Sequence, residues 1–277
     1  METNSTFSIR RIGILLRNDI CQNRKKYFFL FIGIFAAFLF VHLGSIVSAT
    51  TSNLVSPDIA AFLFDSYCRK IGIVTSLMFW IVALSGASDI MSPMKTKEGE
   101  IAFLMLPITS LEKFIERALI VTVGILAIFL AALLLAEICK YLFIPIFKVS
   151  DVFYQSTLPE IWDNIPRPAN NTANLFFVVF SCWNHSLFVL GGSFWYKRPF
   201  LKTIAAIVTF NIVCGIICSL LPITDLLLDN SYIITSKENI LHFISILNVI
   251  FIMLTIFNWW LSYYLFKHSQ LKARKPF

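Results

Sequence analysis

Along this chain, long apolar runs alternate with short polar connectors. Six runs, at residues 27–48, 71–88, 118–138, 173–195, 201–221 and 240–266, each approach the roughly 20 residues that an α-helix needs to cross about 30 Å of hydrocarbon. A backbone in hydrocarbon must satisfy its own hydrogen bonds, and runs of this length do so as helices. The pattern therefore predicts an all-α, polytopic membrane protein with six transmembrane helices. No polar connector is long enough for a soluble domain of ordinary size, at least about 50 residues. Residues 1–277 thus read as a single transmembrane domain: an amino-terminal segment 1–26, a six-span bundle 27–266 with a polar connector at 89–117, and a basic tail 267–277.

Ahead of the first run, residues 7–23 carry a different period. Ile9, Ile12, Leu16 and Ile20 recur at helical spacing, while Arg10, Arg11, Arg17 and Arg24 fall mostly on other faces. This predicts an amphipathic helix lying in the membrane interface. Ile14 and Leu15 widen its apolar face, which leaves open a simpler reading as a basic tail that sets orientation. The first apolar run is longer than a signal-peptide core and no A-x-A site follows it, so it is expected to be retained as a span.

Charge then supplies the orientation. With the amino terminus in the cytoplasm, 17 of the 23 Lys and Arg residues fall on cytoplasmic segments; only Arg69, Lys70, Lys140, Lys148, Arg167 and Lys237 fall outside. The positive-inside rule therefore predicts both termini in the cytoplasm. Tyr27, Phe28, Trp195, Tyr196, Trp259, Trp260, Tyr263 and Tyr264 stand at the same ends, as interfacial anchors do. The net charge of +7 is accounted for by topology, and no nucleic-acid partner is needed to explain it. A content of 57% hydrophobic and 14% charged residues, with 28 phenylalanines, excludes an ordinary soluble domain.

Candidate chemistry is sparse. The sequence has no H-E-x-x-H, G-x-S-x-G or G-x-x-x-x-G-K-[ST] motif and no C-x-x-C pair. His42, His185, His242 and His268 fall at unrelated depths, so no metal site and no other cofactor is expected. Cys214 and Cys218 share a helix face as small packing residues. Cys68 and Cys139 both fall near the outer boundary, where either a disulfide or two buried thiols would fit. The longest outer connector, 139–172, is rich in proline, with Trp162, Asp163 and Glu160, and is expected to cap the bundle; Asn170-Asn171-Thr172 within it matches a glycosylation sequon. Within the spans, His42, Asn184, His185 and Asn211 are the candidate pathway-lining residues, with Asn248 and Asn258 on the sixth span; each also suits interhelical hydrogen bonding. Only Glu137 comes near a span, at its outer end, which argues against a proton- or sodium-coupled carrier.

The polar stretch at 95–117 is the remaining feature. Pro107 divides it, and Thr109-x-x-Glu112 forms a capping box that starts a helix running into the third span. Residues 101–106 form a short apolar piece expected to lie in the interface or to pack under the bundle. The run Leu104-Met105-Leu106-Pro107-Ile108-Thr109-Ser110-Leu111-Glu112-Lys113-Phe114, followed by Arg117, resembles the LLLP-A-S-x-x-E-K-F segment common in bacterial permease subunits of ATP-binding-cassette transporters of the type-2 exporter class. The motif covers about a dozen residues; the amphipathic helix, six spans and cytosolic termini agree in layout. The longest outer connector here follows the third span, whereas that class carries its re-entrant hairpin between the fifth and sixth.

The resemblance implies a permease subunit of an exporter in the bacterial cytoplasmic (inner) membrane, working as a homodimer or as a heterodimer with a similar permease. ATP hydrolysis would occur on a separate ATP-binding subunit, and this chain would not itself be an enzyme. It further implies docking of that ATPase on the amino-terminal helix and the connector, through Arg10, Arg17, Lys97, Glu98, Glu100, Thr109, Glu112, Lys113 and Arg117. Two other readings stay open: a non-transporting membrane scaffold or immunity-like accessory, and an intramembrane hydrolase, which would need His42, His185 and His242 to converge.

Overall fold

Apolar runs of this length leave the backbone one way to satisfy itself, and the computed structural model, which describes residues 7–50, 57–147, 149, 151–159, 171–195, 197–220 and 237–273, is helical nearly throughout, with no strand among them. In order, the helices are α1 (Ile9–Gln22), α2 (Arg24–Thr50), α3 (Pro57–Ser88), α4 (Lys97–Leu104), α5 (Ser110–Leu119), α6 (Ile125–Phe147), α7 (Asn171–Phe194), α8 (Pro199–Leu220) and α9 (Lys237–Ala273). One π turn, Ile120–Gly124, joins α5 to α6, and 3-10 turns occupy Ser92–Lys95 and Asp151–Tyr154. Six stretches are long and apolar enough to cross a bilayer: Arg24–Thr50, Ala60–Ser88, Ser110–Phe147, Asn174–Phe194, Pro199–Ile216 and Leu241–His268. The chain is a multi-pass membrane protein.

Every run expected to span is a helix, and several helices outrun the apolar pattern. α3 begins at Pro57, well before residue 71, with proline at the first helical position, where its missing N–H costs nothing. α6 continues to Phe147 and so places Glu137 and Lys140 inside a spanning helix. The helix thus takes up residues 139–147 of the connector expected at 139–172, Lys140 among them; its two charges stand three residues apart on one face and neutralise each other, with Lys140 Nζ 2.8 Å from Glu137 Oε1. Glu160, Trp162, Asp163, Pro166, Pro168 and Asn170 of connector 139–172, residues 221–236 between the last two spans, Tyr196, and Arg274 and Lys275 of the tail lie outside the described residues.

Two compact units are present, one of residues 13–83 and 122–166 and the other of residues 1–12, 84–121 and 167–277. In the first, α2 packs along α6. Phe129 meets Phe38 and Phe79 edge-on, each at 5.5 Å between centroids, and Ala132 and Ala136 are fully buried, small enough to let helix backbones approach. A single residue, Asn23, separates α1 from α2. Buried Asp19 braces the break by accepting from Asn23 Nδ2 at 2.9 Å and from the Tyr27 hydroxyl at 2.7 Å.

In the second unit, α7 and α9 form the most extensive pair. Trp183 packs on Phe251 at 4.7 Å, Asn258 Nδ2 donates to Ser186 Oγ at 2.9 Å, and the hydroxyls of Ser193 and Ser262 hydrogen-bond one another. These are the small and polar contacts by which helices associate where lipid is as apolar as they are. Arg198 turns the chain from α7 into α8 with φ at 53°, in the left-handed region, just before Pro199. The closest approaches occur at two glycines of α7. A Cβ on Gly191 would lie 2.9 Å from Thr203 Cγ2 of α8, and one on Gly192 would lie 2.8 Å from the backbone carbonyl carbon of Ser88.

Gly192→Ala is therefore expected to destabilise the protein by about 1–3 kcal/mol, the usual range for overpacking, because backbone must move to admit the methyl group. Gly215→Ala on α8 meets nothing within 4 Å and should be neutral or stabilising. Thermal unfolding of both variants in detergent checks the contrast.

Candidate functional site

The connector between α3 and α6 is built from local capping. Thr96 starts α4 by accepting the Gly99 N–H on its hydroxyl at 3.1 Å. On this one-sided helix Lys97, Glu98, Ile101, Ala102 and the following Met105 are exposed, whereas Phe103 is buried. Residues 101–106 thus divide between two environments, with Phe103 packed inward and Ile101 and Met105 turned out. After Pro107, Thr109 caps α5 in the expected capping box: Glu112 N–H donates to Thr109 Oγ1 at 3.3 Å, and Thr109 N–H donates to Glu112 Oε2 at 3.1 Å.

Glu112 does more than the box requires. Its side chain is fully shielded from solvent, and its Oε1 accepts the Ser8 N–H at 2.8 Å and the Arg11 guanidinium through Nη2 at 2.9 Å and Nε at 3.1 Å. Ser8 lies at the amino end of α1, where N–H groups have no partner within the helix. One carboxylate therefore caps two helices that lie more than a hundred residues apart in sequence. Arg11 is the site residue that sequence reasoning missed among three neighbouring arginines; periodicity separates faces but does not say which arginine meets a distant carboxylate.

The next turn of α5 grips α4. Lys113 Nζ donates to the Leu104 carbonyl at 3.0 Å, at the carboxyl end of α4, where unpaired carbonyls favour a cation. Lys113 and Arg117 both stand over the Phe103 ring, at 5.7 and 5.6 Å, and Arg117 Nε lies 3.1 Å from Glu116 Oε2. Phe114 packs against Trp259, Tyr263 and Phe266 of α9 at 5.4–6.1 Å. Of the nine residues expected at a docking surface, Lys97, Glu98, Arg10 and Arg17 are exposed, and Glu100 and Thr109 are half-buried. Glu112, Lys113 and Arg117 lie inside and hold the connector together, because a charged group at the foot of a span is sheltered when it finds hydrogen-bond partners.

The expected pathway residues divide between the two units. His42 is fully buried in the unit of α2 and α6, where its Nδ1 hydrogen-bonds the Tyr67 hydroxyl and its Nε2 faces Glu137 at 3.9 Å. In the other unit, Asn184 and Asn211 return their amide N–H groups to their own helices, at Phe180 and Ile207. His185 stacks on Trp259 at 6.2 Å between centroids. Among the described residues, no three His, Cys, Asp or Glu side chains are placed to hold a metal ion. Cys68 is buried and Cys139 half-buried, and no disulfide joins them.

Comparison with protein-family models, with curated proteins and with solved structures finds no match for this chain.

Glu112→Ala should loosen the start of α1 and the start of α5 together. Removing a helix cap costs about 0.5–2 kcal/mol, and each 1.4 kcal/mol is tenfold in an equilibrium constant. Hydrogen exchange over residues 8–12 and 109–113 is expected to accelerate about tenfold in both segments; acceleration in only one would mean that the carboxylate does not couple them.

Proposed function

We propose that this chain is the membrane-spanning permease subunit of an ATP-binding-cassette exporter, driven by a separate ATPase that docks on α1 and the α4–α5 connector. The observation that carries the reading is the Glu112 junction, which makes the amino end of α1 and the connector one mechanical piece. Force applied to such a piece is delivered to α5, and through Phe114 to the aromatic face of α9. The exposed face of α4 suits a protein partner. Ile101 and Met105 offer apolar anchors, and Lys97, Glu98 and the nearby Glu100 surround them with charges of both signs, a composition closer to a protein interface than to a lipid-facing stripe. Arg10 and Arg17 add an exposed basic edge on α1.

In this reading both termini and the connector lie in the cytoplasm of a bacterial cell, following the distribution of Lys and Arg. The subunit works as a dimer, as a homodimer or with a similar permease, alongside two ATPase copies. The two bundles expose a path alternately to either side or open it laterally. The exposed apolar faces of α8 and α9, among them Phe210, Ile212, Phe243, Ile246, Met253 and Phe257, supply surface for lipid and for a second bundle.

Purification in mild detergent tests the proposal. An ATPase subunit should be retained, and Ile101→Asp combined with Met105→Asp on the outer face of α4 should release it while leaving thermal stability within about 0.5 kcal/mol of wild type, as is usual for surface changes. A chain that carries no ATPase, or one that keeps it through both substitutions, sinks the docking assignment.

A further inference from the structure

One face of α8 packs on α7. Phe200 meets Phe188 at 5.5 Å between centroids, Ile207 packs against the same cluster, and Thr203 lies against Gly191. Beside this face runs a second line of positions, Leu201, Ile204, Val208, Asn211 and Gly215, all of them exposed. Their successive spacings of three, four, three and four residues are those of a left-handed helix pair, in which such a line faces its partner along its whole length. The apolar members would be content against lipid. Asn211 would not.

Asn211 lies about 18 Å along the helix from Pro199, at 1.5 Å per residue, and so near the middle of about 30 Å of hydrocarbon. An asparagine amide has two N–H donors and a carbonyl acceptor. One N–H returns to the Ile207 carbonyl at 2.8 Å, and the rest of the amide has no further partner among the described residues. Asn248 and Asn258 are buried and Asn184 is half-buried, whereas Asn211 is exposed. Hydrocarbon offers it neither donor nor acceptor, so another helix must.

The helix that fits belongs to a second copy of this chain. Copies inserted in one orientation carry Asn211 at one depth, and a two-fold axis along the membrane normal sets the two α8 helices parallel. An amide is its own complement: the second N–H of each Asn211 reaches the carbonyl of the other, and two hydrogen bonds form. Any other helix would have to bring a donor and an acceptor to that depth by coincidence. Gly215, one turn further on, has nothing within 4 Å of the place a Cβ would take, and residues as small as glycine or alanine let two backbones approach. A single asparagine in an apolar seam also fixes register and the number of strands.

We propose that Leu201, Ile204, Val208, Asn211 and Gly215 form the seam of a parallel homodimer, in which Asn211 hydrogen-bonds Asn211 of the partner subunit in mid-membrane. This deepens the dimer of the permease reading. It takes from that reading only that copies associate, and it commits the dimer to identical chains joined along α8.

A benzophenone photoprobe tests the seam, placed singly in the full chain at 204 or 208, and at 206 or 213 on the opposite side of α8. In native membranes, cross-linked homodimer identified by mass spectrometry is expected from 204 and 208 and not from 206 or 213. In vesicles, energy transfer between labelled copies at increasing lipid content should show dimerisation of Asn211→Leu weakened roughly tenfold, the scale of a pair of interhelical hydrogen bonds. Asn211→Gln, which keeps the amide, should stay close to wild type. Both variants should unfold at the wild-type temperature, because Asn211 touches only its own helix. Homodimer captured only from 206 and 213, or a different protein captured from 204 and 208, overturns the seam, and dimerisation unmoved by Asn211→Leu overturns the amide pair. Each of these leaves the permease reading to its own test of ATPase retention, whereas a chain monomeric with every probe overturns seam and dimer together.

Discussion

A helix that begins at a membrane surface has N–H groups with no partner inside the helix, and they must be met by something other than lipid. The Glu112 carboxylate meets them twice over: at Thr109 for the helix that contains it, and at Ser8 for the amphipathic helix that opens the chain. Arg11 supplies the balancing charge. The arrangement of the connector follows from this. With Thr109 and Glu112 fixed, Lys113 and Arg117 are set one turn further on, where they clamp Phe103 and the end of α4. The inward face of α4 is then determined, and with it the face left outside.

The same unit shows why such a connector can be stiff. Phe103 and Phe114 both touch Phe266, and Phe114 also reaches Trp259 and Tyr263. α9 is locked in turn to α7 by the Asn258–Ser186 and Ser193–Ser262 hydrogen bonds, and α7 to α8 by the close approach at Gly191. Aromatic packing, hydroxyl pairs and glycine contacts are all short-range and intolerant of displacement, because interiors are packed at crystal-like density. Motion at the connector therefore moves this group of helices together.

What the sequence made legible follows the range of each interaction. The six spans could be read because burial in hydrocarbon is a property of each run by itself, and the capping box because its four residues are contiguous. The extension of α6 was not legible by the same logic. A charge in an apolar run normally marks the end of a span, and recognising Glu137 and Lys140 as an internal pair requires knowing that Gln155 and Thr157 fold back to complete their hydrogen bonds. The junction of Glu112 with Ser8 and Arg11 crosses more than a hundred residues and leaves no periodic trace. Asn184 and Asn211 stood out as polar residues in apolar runs, yet their bonds go to backbone carbonyls of their own helices, where an intramembrane polar group is most cheaply satisfied.

Glu112 and Glu137 solve one problem in two ways, and the difference bears on what each can do. Both are buried carboxylates facing a lysine or arginine, a threonine and a backbone N–H. Around Glu112 the donors suffice: three backbone or hydroxyl donors and a two-pronged guanidinium face two oxygens, and the result is a fastening. Around Glu137 the donors also suffice, Lys140 Nζ, the Thr157 N–H and the Thr157 hydroxyl meeting its two oxygens, but His42 Nε2 stands 3.9 Å from Oε2 without a hydrogen bond. Burial leaves such a cluster sensitive to any charge that enters, because the interior offers little dielectric screening.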